Sequence, residues 1–242
     1  MTQLAQRALD LLFPPHCAGC YKQGTILCSS CMAAISLIVP PVCQSCGASL
    51  SALPSSASSL CRQCQRYPLG LSKLRAMSVY QEPLRSCIHA LKYEGNTRLA
   101  EPLGQMLAYA CSYYHLAADV VIPVPLHVER QKARGYNHAT LLANNCAQHI
   151  GIAVRNDILI RHRATPAQVG LTASERSRNV AGAFACSPQF ATGMLAGRTI
   201  GIIDDVSTTG ATLAACAAPL FAAGASTVWA LVLARPKDKE YF

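Results

Sequence analysis

The chain has 242 residues, enough for one large domain or for a domain with a small module beside it, and half of it (51%) is apolar, so a sizeable core is available. Only 14% of the residues are charged, yet the net charge is +9, a balance that suits an anionic partner and equally serves solubility. Aromatic residues make up 6%, which argues against a dedicated stacking platform for single-stranded nucleic acid.

In chain order, "MTQLAQRALDLLFPP" predicts an amphipathic helix ended by Pro14; Asp10 inside its apolar run speaks against a secretory signal. Eight of the thirteen cysteines follow in four Cys-x-x-Cys pairs: Cys17/Cys20, Cys28/Cys31, Cys43/Cys46 and Cys61/Cys64. Two residues between thiolates let one tight turn offer both sulfurs to a tetrahedral metal, so four knuckles make two zinc sites. Disulfides and a thioredoxin-like redox pair fit worse, because no secretory signal is read and four pairs crowd into one segment. Sequential pairing gives Cys17, Cys20, Cys28 and Cys31 for one zinc and Cys43, Cys46, Cys61 and Cys64 for the other. A crossed arrangement fits the spacing too, and His16 reads as an adjacent surface histidine, with replacement of a cysteine ligand as the alternative. With no open coordination position in view, both metals are expected to be structural. The Ser-rich "SLSALPSSASSL" reads as an excursion between the last two knuckles. Cys87, Cys111, Cys146, Cys186 and Cys216 are isolated and read as small buried hydrophobes.

Near residue 70 the pattern changes, predicting a division into an N-terminal helix plus zinc module (1–70) and a second domain (71–242). Strands "AMSVY", "DVVIPVPL", "DILIRHR", "RTIGIIDDV" and "STVWALVLA" alternate with helices over "PLRSCIHALKY", "RLAEPLGQMLAYACSYY" and "NHATLLANNCAQHIG". The alternation predicts an α/β fold with a parallel sheet flanked by helices, whose ligands bind beyond the carboxyl ends of the strands. The charge-free stretch 211–234 is long enough to span a membrane but is broken by Pro219 and Gly224, so no span is expected, and the chain is expected in the cytoplasm.

The strand "GIIDDV" ends in two adjacent carboxylates, Asp204 and Asp205, and runs into Ser207, Thr208, Thr209, Gly210, Ala211 and Thr212. Amides of a turn that opens a helix form an anion site, and the hydroxyls and Gly210 favour one further. The acids would repel that anion if they touched it, so they are expected to face hydroxyls beside it. A ribose 5-phosphate meets both demands. A helix N-cap with solvated acids is the plainer alternative.

"IIDDVSTTGAT" resembles the phosphoribosyl-diphosphate signature of type I phosphoribosyltransferases, and the chain as a whole resembles the ComF family within that superfamily, GntX-like proteins included. The likeness extends over "LKYEGN" (91–96), the stretch from Pro123 to Ala143, and Thr165, Gln168, Leu171, Arg176, Asn179 and Gly182-Ala183-Phe184, and covers essentially the full length. It implies transfer of a phosphoribosyl group from phosphoribosyl diphosphate to an acceptor that the sequence leaves open. Mg2+ would come with the substrate rather than in a protein cage. It also implies a role in the uptake or use of exogenous DNA, with single-stranded DNA and the transformation machinery as partners; a non-catalytic binding protein on the same fold is the alternative. Asp204 and Asp205 would then serve catalysis. Lys92 and, in a basic loop "HVERQKARG" that follows "VVIPVPL" as the pyrophosphate loop follows a core strand in that superfamily, Arg130 and Arg134 are the candidates for pyrophosphate, with Gly135 opening the backbone beside Arg134. Stacking and packing are both open to Tyr136. No general base is identifiable: His127, His138, His149 and His162 read as structural or surface residues. The stretch 163–184 reads as a mobile flap or a partner surface.

Overall fold

The computed structural model describes residues 13–50, 59–166, 172–190 and 193–237; the expected N-terminal helix, most of the Ser-rich excursion, Gln168 and Leu171 lie outside them. Four strands, β1 (Lys73–Val79), β2 (Val120–Pro123), β5 (Thr199–Val206) and β6 (Thr227–Arg235), form a fully parallel sheet in the order β1-β6-β5-β2. The central β6 shows why. Every residue from Val228 to Ala234 is buried, as a strand covered on both faces requires. Its side chains alternate: Trp229, Leu231 and Leu233 join one core, Val228, Ala230 and Val232 the other.

The first core is roofed by α3 (Leu84–Tyr93), α4 (Ala100–Tyr113) and α6 (His138–Ile150), the second by α8 (Ala211–Ala222). Asn137 caps α6, accepting a hydrogen bond from the Ala139 amide, and Gly151 ends it in the left-handed conformation, as the sequence suggests. Gly201 is required for packing rather than for backbone freedom: it faces Trp229 across the β5–β6 pair, and a Cβ there would stand 2.4 Å from the indole ring. Gly201→Ala is expected to cost about 1–3 kcal/mol by overpacking. Urea unfolding of the variant at unchanged m-value is the check.

Two expectations need correction. The strand over "DILIRHR" is β3 (Leu159–Arg161), and it stands outside the parallel sheet, paired antiparallel with β4 (Phe184–Cys186). The basic stretch "HVERQKARG", expected as a loop, carries a short helix α5 (Val128–Arg134) with no buried residue, closed by Gly135 at φ +83°. Further on, α7 (Ala173–Val180) starts with a capping box between Thr172 and Glu175.

The Cys-rich segment contains two short helices, α1 (Ser29–Ala33) and α2 (Arg62–Arg66). Its central stretch is bonded to the sheet. Ile38 donates its amide to the Met77 carbonyl and Val79 to the Ser36 carbonyl, which covers the outer edge of β1. Among the described residues no helix is long and apolar enough to cross a membrane.

Candidate functional site

The structure gathers the eight knuckle cysteines into two clusters of four sulfurs, Cys17/Cys20/Cys28/Cys31 and Cys43/Cys46/Cys61/Cys64, the sequential pairing. Two sulfurs on one tetrahedral zinc, each at about 2.3 Å, stand about 3.8 Å apart. The Cys20–Cys28 and Cys46–Cys61 sulfurs are 3.7 Å apart, so the donor sets fit zinc. Backbone amides support the thiolates: Cys28 N donates to Cys17 Sγ, Cys31 N to Cys28 Sγ and Cys61 N to Cys43 Sγ. Burial alone would raise the Cys17 thiol, but these and neighbouring amide bonds bring it down to about 6; the same balance brings Cys43 to about 7.

The second site lies where β5 ends. Asp204 and Asp205 close the strand, and Gly210, at φ +80°, caps α8. Among the described residues the amides of Thr208, Thr209 and Gly210 meet no acceptor, whereas the Ser207 amide is spent on the Ala234 carbonyl. Thr208 and Thr209 are exposed, so hydroxyls and amides without an internal acceptor stand open at a helix N-terminus, the arrangement an anion needs. Arg176 of α7 reaches across to it, its guanidinium donating to the Thr208 hydroxyl at 2.5 Å.

Each acid is engaged. Lys92, from the last turn of α3, forms an ion pair with Asp205 Oδ2. His138, the first residue of α6 and 5% exposed, sets Nε2 3.4 Å from Asp205 Oδ1 and 3.6 Å from Asp204 Oδ1. Its Nδ1 accepts from the Arg134 guanidinium at 2.6 Å, which assigns the ring proton to Nε2, facing the carboxylates. Burial works against both carboxylates. At Asp205 the Lys92 and His138 side chains overcome it and hold the carboxyl well below its ordinary range. At Asp204 burial and the Asp205 charge prevail over His138, and its pKa is raised. Burial lowers His138 and Lys92, but the two acids more than reverse this and raise both. The pair therefore splits into a firmly ionised Asp205 and a more readily protonated Asp204.

The candidate residues are thus partly brought together. Lys92 lies in the acid cluster, on Asp205 rather than facing solvent. Arg134 touches the cluster through His138 and stacks over Tyr93 at 5.2 Å. Arg130 lies apart, donating to the Thr165 carbonyl. Tyr136 is a packing residue whose hydroxyl donates to the Leu91 carbonyl, tying the loop after α5 to the turn that carries Lys92. His138, buried against the acids, was given no chemical role from sequence, and Arg176 was read there as part of a flap or partner surface, open to nucleic acid or solvent rather than to this loop.

A family model described as a double zinc ribbon domain matches residues 8–65. Among curated proteins, the chain is 32% identical to the DNA utilization protein YhgH of Salmonella typhimurium, over 86% of this chain and 90% of that protein. It is 31% identical to competence protein F of Haemophilus influenzae, over 82% and 86% respectively. Among solved structures, the glutamine phosphoribosylpyrophosphate amidotransferase of B. subtilis, complexed with ADP and GMP, matches 55% of this chain and 25% of its own at 23% identity. Its TM-score of 0.37 is too loose to bear on function.

Proposed function

We propose, for a chain that belongs to the ComF family of competence and DNA-utilization proteins, that it binds phosphoribosyl diphosphate at the end of β5 and transfers the phosphoribosyl group in the service of DNA use. The 5-phosphate would sit on the amides and hydroxyls of residues 208–212, and the ribose hydroxyls on Asp204 and Asp205. Lys92, Arg134 and, after moving from Thr165, Arg130 would meet the pyrophosphate. Stabilising the charge that grows on this leaving group is the main electrostatic task of such a transfer. Mg2+ would arrive with the pyrophosphate. A division near residue 70 and a cytoplasmic location, where thiols stay reduced, belong to this reading.

One observation carries it: two adjacent carboxylates end the strand that opens into a loop of amides without internal acceptors, with Arg176 already on that loop. Lys92 must leave Asp205 for the ribose to be held. The sensitive test is therefore Asp204→Asn, which leaves the Lys92–Asp205 pair in place. Calorimetry with phosphoribosyl diphosphate and Mg2+ is expected to show binding to the native chain and at least about tenfold weaker binding to the variant, the worth of one hydrogen bond to a charged group. Equal heats for both would remove the reading.

The Lys92–Asp205 pair also favours a second reading, a fold kept for holding nucleic acid without transfer, since it closes one of the two acids. Single-stranded DNA binding that falls as salt rises, with no response to phosphoribosyl diphosphate, would favour this second reading.

A further inference from the structure

The second zinc ribbon is fastened to the sheet by two arginines that donate to backbone carbonyls of its first knuckle. Arg75 of β1, only 6% exposed, donates from Nη1 to the Cys43 carbonyl and from Nη2 to the Gln44 carbonyl at 3.0 Å. Arg235, the last residue of β6, donates from Nη1 to the Cys46 carbonyl at 2.8 Å and lies 3.7 Å from Cys46 Sγ. The Leu74 amide adds a bond to the Ser45 carbonyl. So a strand end touches a metal ligand directly, through its carbonyl and its sulfur.

That strand end also touches the anion loop. Ala234, the neighbour of Arg235, accepts the amide of Ser207, the first loop residue after β5. A second connection comes from the other knuckle. Beyond Cys64 the chain places Leu69 so closely on Gly210 that a Cβ there would stand 2.5 Å from Leu69 Cδ1. Both knuckles of the second four-cysteine centre therefore end on the loop, one through Arg235 and β6, the other through Leu69.

We infer that Arg235 is a positioning residue that couples the second four-cysteine centre to the loop 206–212, so that zinc at that centre holds the loop in order. Groups that bond to a metal's ligands tune the metal as well as the ligands, and the guanidinium supplies such a bond to Cys46. Coupling of this kind is reciprocal: whatever orders the loop also tightens the binding of the zinc. The inference rests on the reading of 206–212 as an anion loop for its purpose, but not for its test.

The test compares zinc-loaded native chain with Arg235→Gln and Arg235→Lys. Zinc loss to a chelator is followed by alkylation of Cys43, Cys46, Cys61 and Cys64, with the first cluster as internal control. Loop order is followed by hydrogen exchange of a peptide over 206–212. In Arg235→Gln the second cluster is expected to hold zinc about 10- to 100-fold more weakly against the chelator, the usual effect of removing a bond to a ligand. The first cluster is expected to be unchanged, and the loop to exchange about tenfold faster. Arg235→Lys keeps a donor for the Cys46 carbonyl and is expected to fall between. Weaker zinc retention with unchanged loop exchange would overturn the coupling. So would unchanged zinc retention, or an equal rise in exchange across the whole core. Native chain that binds no phosphoribosyl diphosphate would sink the proposed function while the exchange result still decided this one.

Discussion

Asp205→Asn is expected to lower the stability of this protein by about 3–5 kcal/mol, the cost of leaving one partner of a buried ion pair alone. The side chain of Asp205 is 3% exposed and that of Lys92 21%, so water cannot take over the role of the lost carboxylate. Lys92→Met added to Asp205→Asn is expected to return most of the loss, because it removes the orphaned charge and leaves an apolar stem of similar length. The two shifts fix the pH window. The Asp205 pKa is depressed, so its contribution is present above the ordinary 3.8 and is lost as pH falls below it. The Lys92 pKa is raised, so its contribution is complete below 10.5 and is lost as pH rises through the higher folded value. Between these limits His138 also titrates: Asp205 is the larger of the charges that raise its pKa, so that part of the difference between native chain and Asp205→Asn is complete below 6.5 and is lost as pH rises through the higher folded value, while in acid the difference should shrink. Urea unfolding of the native chain, both single variants and the double variant, at neutral pH and in acid, gives the whole cycle. A coupling energy indistinguishable from zero would mean that the pair is not held as described. Asp204→Asn makes the complementary case: its pKa is raised by burial and by the neighbouring charge, so an amide there relieves a cost and should leave the fold intact.

That division of labour between adjacent acids could not be read from "IIDDV". Local pattern gave the strand, the turn and the helix that follows, because an apolar run, two acids and a Gly-containing hydroxyl loop each constrain their own backbone. The cysteine spacing gave the four knuckles for the same reason, knuckle and ligand being one short turn; which knuckles share a metal was open in the spacing and is set by the fold. What decides the state of Asp205 is long-range. Lys92 comes from the end of α3, and His138 from the start of α6, beside the Asn137 cap. His138 has no local signature, since a histidine at the first turn of a helix reads as a surface residue until the sheet brings Asp204 and Asp205 under it. Helix α5 was missed because none of its residues is buried, so no apolar stripe marks it. β3 was assigned to the wrong sheet because periodicity reports a strand and not its partner.

The zinc clusters allow an equally sharp expectation. Cys17→Ser should leave one zinc per chain and unfold the first ribbon while the second ribbon and the sheet persist. Cys17 is fully buried and its sulfur accepts the Cys28 amide, so a hydroxyl there removes a ligand and disturbs the facing knuckle. Among the described residues only Leu27 packs as an apolar neighbour around the four sulfurs, and the contacts of Ala18, Ile26 and Met32 are with the sheet core. Such a segment has little core of its own. Structural zinc contributes about 10–16 kcal/mol in isolated finger peptides, so ligation and not packing decides whether this ribbon is folded. The second ribbon does not share these ligands, and it is fastened to β1 and β6 through Arg75 and Arg235. It should therefore keep its metal. Elemental analysis gives the zinc count, and trypsin reports the unfolding, because Lys22 lies in the first ribbon and its cleavage should become rapid only in the variant. Loss of both zincs together, or retention of two, would contradict the sequential pairing: in the first case the ribbons would share ligands or fold as one unit, and in the second Cys17 would not be a ligand at all.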